Sequence, residues 1–136
     1  KNSVSPKRIL AEFNKVPSFD YKPGQVFNVG LFKEGDYVTV SGRSKGHGFS
    51  GTVKKYSFSQ QRKTHGQGDT HRHVGSIGAA SYPSRVFPGK KMPGRYGNKK
   101  VSIKSLEIIK VDKDNNRLLI KGSVPGYTNS IVMITR

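Results

Sequence analysis

The sequence predicts a mainly β fold, a small barrel or sandwich carrying one short N-terminal helix and one long, basic, glycine-rich loop. Three observations carry that prediction. Short runs of β-branched and aromatic residues alternate with turn residues through both flanks of the chain. A polar stretch, Asp112-Lys113-Asp114-Asn115-Asn116, separates two such runs as a hairpin turn would. Between the flanks, residues 42–100 collect glycine and positive charge and hold few apolar runs. With 136 residues, of which 32% are hydrophobic, the expectation is one domain with a modest core.

Taken in order, Ser5-Pro6 followed by Ile9, Leu10 and Phe13 reads as a short helix, with Ser5 at the N-cap and Pro6 at the first helical position. Residues 24–32 and 36–41 carry β-branched and aromatic side chains between glycines and read as strands. Residues 49–58 resume with Phe49, Gly51, Val53 and Lys55 on one side, a further strand leading into the basic stretch. Residues 101–111 and 117–124 form the two arms of the hairpin, and 130–135 the last strand. Residues 1–41 and 101–136 therefore make the β part of one domain, and 42–100 a basic extension. No internal repeat is visible.

Charge is the strongest functional signal. The chain holds 25 Lys+Arg against 8 Asp+Glu, a net +17. Residues 42–100 supply +12 of it, with thirteen cations and a single acid, Asp69. Those cations are Arg43, Lys45, Lys54, Lys55, Arg62, Lys63, Arg72, Arg85, Lys90, Lys91, Arg95, Lys99 and Lys100. The same stretch contains 11 of the 16 glycines and all four histidines, His47, His65, His71 and His73. From Ser59 to His73 no apolar residue occurs, so alone the segment should be disordered, with too little surface to bury against its ordering entropy. A bland alternative, a solvated surface for solubility, explains the charge but not its coincidence with glycine and loss of acids. Cations at this density neutralise phosphates, while glycine lets backbone thread between nucleic-acid helices. Tyr56, Phe58, Tyr82, Phe87 and Tyr96 lie among the cations and suit stacking on splayed bases, which favours folded RNA over duplex DNA.

Other chemistry finds less support. Gly46-His47-Gly48-Phe49-Ser50-Gly51 matches a phosphate-cradling G-x-G-x-x-G, but no helix pattern follows it, and no D-F-G or H-R-D element occurs. Gly89–Arg95 has the glycine spacing of a Walker A loop, yet Arg95-Tyr96 replaces the required Lys and Ser/Thr. The histidines could suggest zinc, but there is no cysteine, no H-E-x-x-H, and Arg62, Lys63 and Arg72 surround them. Neither a metal nor any other cofactor is expected, nor an enzyme or a small-molecule substrate. The longest apolar runs, such as 131–134, are too short for a membrane-spanning helix, and no secretory signal pattern opens the chain.

Longer motifs resemble a known family. Ser41-Gly42-Arg43-Ser44-Lys45-Gly46-His47-Gly48-Phe49-Ser50-Gly51-Thr52-Val53-Lys54 is similar to the S/T-G-x-S-K-G-x-G-F-x-G-x-V-K motif of the large-subunit ribosomal protein L-three family. So are Thr64-His65-Gly66, His71-Arg72, Gly75-Ser76-Ile77-Gly78, the stretch from Val86 to Asn98, and Leu118 to Gly126. The resemblance runs from about Ser5 to the C-terminus. It implies a β-barrel of the translation-protein type on the subunit surface, and an extended loop, matching 42–100, that penetrates rRNA toward the peptidyl-transferase centre. Gly75–Arg85 would then be the loop tip, with Ser81 where some bacterial members carry a modifiable Gln. Val74 stands in place of a common proline and Tyr56 in place of a frequent Trp. The family's upstream segment, with its G-x-K-x-G-M-T start, is missing here, so Lys1 is not expected to be the natural N-terminus.

The expected function is therefore a structural constituent of the large ribosomal subunit that binds rRNA, aids assembly and supports the catalytic centre without doing chemistry. The expected RNA-binding set is the thirteen cations, the four histidines and Ser81. The partners are large-subunit rRNA and neighbouring ribosomal proteins, with no membrane. The expected place is the cytoplasm, an organellar ribosome being left open. A free-standing RNA- or DNA-binding regulator is the alternative from another class, with a small nucleotide-dependent enzyme third.

Overall fold

A computed structural model of the chain describes residues 5–14 and 20–136. The elements in order are a 3-10 turn at Val29–Leu31, β1 (Tyr37–Arg43), β2 (Phe49–Ser50), α1 (Thr52–Tyr56), β3 (Gly94–Arg95), β4 (Lys100–Asp112), β5 (Arg117–Ile120) and β6 (Val132–Thr135). The chain is mainly β with little helix. One sheet has the strand order β5-β4-β1-β6, and β2 pairs with β3 in a short ribbon. The contacts divide into two units. One gathers the described residues up to Tyr37 with Glu107–Lys121, the other Val38–Leu106 with Gly122–Arg136.

In the first unit the hairpin dominates. Asp112 pairs with Arg117, Val111 with Leu118, and Lys110 with Leu119, and a bulge at Ile109 brings Ile108 opposite Ile120. The turn is closed by the backbone N–H of Asn115 donating to Asp112 Oδ1 at 3.2 Å and the Asn115 amide donating to Oδ2 at 2.9 Å. Asn116 takes the left-handed conformation (φ 56°) that the turn needs and that Asn tolerates. The Asn115 side-chain bond, followed by the Asn115 backbone bond, holds the Asp112 carboxyl below its ordinary pKa. Ile108 is fully buried, and its backbone exchanges bonds with the segment before β1, Gly35 N–H donating to Ile108 O and Ile108 N–H to Asp36 O. The Asn116 amide oxygen accepts from the Val29 N–H, tying the 3-10 turn to the hairpin loop.

In the second unit β1 lies antiparallel to β6, Val40 opposite Ile134 and Gly42 opposite Val132. Alternation along β1 sends Val38 and Val40 inward to full burial, while Thr39 and Ser41 stay half-buried. The opening half of β4 borders the other edge of β1, where the Ser41 and Ser102 hydroxyls meet at 2.7 Å. Gly42 fits because a Cβ there would press within 3.1–3.2 Å of Pro125 and Val132. Among the described residues the buried hydrophobic side chains are Val38, Val40 and Ile108.

Several expectations are corrected. Residues 5–14 form no helix and every one is exposed, Leu10 to 89%. A helix of two or three turns is marginal in water unless one face packs, and the cap at Ser5 cannot replace that packing. Residues 24–32 form no strand; they turn at Gly24 and again at the 3-10 element, and no partner strand pairs with them among the described residues. The strand expected over 49–58 stops at Ser50 and gives way to α1. The ladder register would set Pro93 opposite Gly51, and proline has no N–H to extend the ladder. Of the expected barrel the described residues show a curled antiparallel half-barrel sheet, in which the end strands β5 and β6 each have one neighbour.

Candidate nucleic-acid interface

Beyond β1 the chain continues antiparallel to the segment that enters β4. Ser44 N–H donates to Lys99 O at 2.9 Å, His47 N–H to Tyr96 O at 2.9 Å, and Tyr96 N–H to Gly48 O at 2.8 Å. Phe49 faces Arg95 across the ribbon. Gly97 makes the close approach possible: it sits at φ 72°, and a Cβ there would collide with the Lys45 carbonyl. This frame displays Arg43, Lys45, His47, Arg95, Lys99 and Lys100, all exposed. Arg43 donates to the Asn98 amide oxygen at 3.1 Å, and the His47 and Tyr96 rings stack at 4.8 Å between centroids.

A second group surrounds α1. The helix leaves Lys54 in solvent and half-buries Lys55 and Tyr56. Lys55 Nζ lies 5.1 Å and Lys91 Nζ 5.7 Å from the centre of the Tyr56 ring. Two ammonium groups on one ring are held by its quadrupole rather than by an acid. Arg85 makes the same kind of contact with Phe87 at 5.5 Å.

The third group is a loop closed on itself. Gln61 N–H donates to His71 O, and His73 N–H to Thr70 O. The Gln67 amide donates to Gln61 Oε1 and to Thr70 Oγ1, both at 2.6 Å. His71 is half-buried, with Nδ1 3.0 Å from the Arg62 carbonyl oxygen, while Arg62, Lys63, His65, Arg72 and His73 are exposed. Further along, Ser81, Arg85 and Lys90 are exposed, with the Ser84 hydroxyl bonded to the Ser81 carbonyl.

Of the eighteen residues expected from the sequence to bind RNA, all are exposed except Lys55 and His71, which are half-buried. None of the thirteen cations is ion-paired among the described residues. With one acid in the stretch, their field is uncompensated, and a polyanion is the ligand such a surface attracts. The structure places fifteen of the eighteen in the ribbon frame, the α1 group and the closed loop, and leaves Ser81, Arg85 and Lys90 on the segment between loop and ribbon. Lys55, Lys91 and Arg85 are already engaged with aromatic rings. The sequence did not single out Phe49, 81% exposed beside Arg95, nor the Gln61–Gln67–Thr70 network. Phe49 was legible as a strand residue and as a member of the 41–54 motif, not as an exposed ring beside Arg95. The network had one weak signal, the absence of apolar residues from 59 to 73, which leaves polar groups to bond each other.

Among the described residues no three His, Cys, Asp or Glu side chains gather as metal ligands. No helix among the described residues is long and apolar enough to cross a membrane.

The family model described as "Ribosomal protein L3" matches residues 18–117. The chain is 43% identical over 134 residues to the large ribosomal subunit protein uL3 of Thermotoga petrophila, covering 98% of this chain and 64% of that protein. It is 49% identical over 136 residues to uL3 of Neisseria meningitidis, again with 98% and 64% covered. The uL3 of Fervidobacterium nodosum is 43% identical over 134 residues, with the same coverage. The chain thus spans about 64% of the length of the curated relatives it matches.

Proposed function

The chain belongs to the ribosomal protein L3 family, and from that premise we propose that it is a structural, non-catalytic component of the large ribosomal subunit whose arm, residues 42–100, binds rRNA. The observation that carries the reading is the set of thirteen arm cations, nearly all exposed and none ion-paired among the described residues, with Asp69 as the one acid of the stretch. Each cation that meets a phosphate releases a condensed counterion, which makes binding entropically favourable at low salt. Glycines along the arm let the backbone itself approach the sugar–phosphate chain, and exposed Tyr82 and Phe87 offer faces to unstacked bases.

In this reading the protein works in the cytoplasm as part of the subunit, beside neighbouring ribosomal proteins, and contributes to assembly by neutralising phosphates that would otherwise repel. The arm's tip, Gly75–Arg85, lies near the peptidyl-transferase centre and acts by holding nucleotides in position. Ser81 is exposed and small there, so its side chain permits a close RNA neighbour. Filter binding to large-subunit rRNA tests the core of the proposal. With about 6–10 phosphate contacts, affinity should fall by roughly 10³–10⁵ between about 50 and 200 mM salt. A flat salt profile would remove the electrostatic basis of the reading.

A further inference from the structure

An open cleft of about 520 Å³ lies within the second unit, between the start of α1 and the closed loop. Gln61, Thr70, Arg72, His73, Gly75 and Pro93 line it, and Thr52, only 1% exposed, belongs to its wall. We propose that this cleft receives one unstacked nucleotide of a single-stranded RNA segment. The inference rests on the RNA-binding reading above and makes it specific to one place.

Four features of the cleft select that ligand. Its volume suits a group of drug-like size, which a single nucleotide is and a base-paired duplex is not. Arg72 supplies a planar guanidinium, the side chain best matched to a phosphate. His73 and Pro93 supply ring faces on which a base can stack once it leaves its own helix. Gln61 supplies the polar group for a base edge. Its Oε1 already accepts from Gln67 at 2.6 Å and from Thr70 at 3.3 Å, so the amide is held in place with its own N–H donors uncommitted. Within the folded loop that network orients the Gln61 amide and leaves its N–H donors to the ligand. A paired nucleotide cannot use these groups, because its edge is engaged with its partner and its faces with its neighbours. The surrounding stretch has one acid, so a cationic or peptide-amine ligand gains little there.

The same chemistry would accept a free nucleotide, and the test separates the two. Fluorescence anisotropy of the full chain, at matched points of a salt series, compares a short single-stranded RNA, the duplex of the same sequence, and adenosine monophosphate as competitor. The wild-type chain should prefer the single strand. His73→Ala, which leaves the Gln61 network intact, and Gln61→Ala, which changes no charge, should each cut single-strand affinity about tenfold and duplex affinity less than about twofold. Lys100→Ala, outside the cleft, should weaken both RNAs alike. Unchanged single-strand preference in both cleft variants would overturn the proposal while leaving salt-dependent RNA binding intact. Absence of salt-dependent binding in the wild type would instead overturn the reading beneath it. Adenosine monophosphate that competes as well as the strand would assign the cleft to free nucleotides and overturn the RNA assignment.

Discussion

The β4–β5 hairpin and the arm between residues 57 and 93 differ in where their backbone groups find partners. In the hairpin, cross-strand pairs from Lys110–Leu119 to Asp112–Arg117 and the bonds of Ile108 with Gly35 and Asp36 satisfy the backbone, and Ile108 is removed from water entirely. Between residues 57 and 93 no residue is buried and no helix or strand forms. The bonds of that stretch are local, such as Gln61 to His71, Thr70 to His73 and Phe87 to Lys90. The hairpin is stabilised by what the chain itself provides. The arm has little apolar surface to offset its conformational entropy, so on the proposed reading its ordering free energy comes from a partner. The contrast in charge follows the same line: Lys121 in the first unit has Glu107 at 3.7 Å, whereas the arm's cations have no carboxylate.

If that division is right, charge removal and core removal should have separable effects. The largest expected effect is on RNA affinity. Replacing Arg85, Lys90 and Lys91 together with alanine should reduce the slope of log affinity against log salt by about 2–3 and leave the thermal midpoint nearly unchanged. Filter binding and thermal denaturation on the same samples check both halves. Next comes the core. Ile108→Ala should cost about 2–5 kcal/mol in chemical denaturation, a large share of a typical net stability, without altering the salt slope. Gly97→Ala tests the frame that joins the two kinds of region. The φ of 72° and the collision with the Lys45 carbonyl predict a loss of about 1–3 kcal/mol, with hydrogen exchange accelerating at His47 and Tyr96.

The smallest expected effect is at the hairpin turn. The bonds from Asn115 depress the Asp112 pKa in the folded state. A depressed carboxylate contributes stability that is present above its unfolded pKa and is lost as pH falls through the folded value. The thermal midpoint of the wild type should therefore drop more steeply than that of Asp112→Asn across the acid range. Parallel curves would mean that the Asn115 bonds do not favour the charged form.

The sequence made the hairpin legible because its signals are local: β-branched runs on both sides and a polar turn whose Asp and Asn bond their own backbone. The charge segregation of 42–100 was equally plain, since it needs only counting. What sequence could not show is pairing at a distance. The strands expected at 24–32 and 49–58 had strand-like composition, but a strand exists only beside a partner, and Pro93 ends the ladder that would have extended the second. Ser5–Phe13 carried a helix cap and periodic apolar residues, but every residue there is exposed, with no face packed against the other described residues. Within the candidate interface the exposed cations were readable one by one. Their division into frame, α1 group and closed loop was not, because the contacts of Lys55 and Lys91 with Tyr56 bring together residues about 35 positions apart.

Hydrogen exchange on the chain, with and without large-subunit rRNA, most directly tests the claim that the arm takes its order from a polyanion. The account predicts rapid exchange across residues 57–93 in the free chain and slow exchange in β4 and β5, with RNA slowing the arm strongly and the hairpin little. An arm already protected without RNA, or one unprotected with it, would contradict the account.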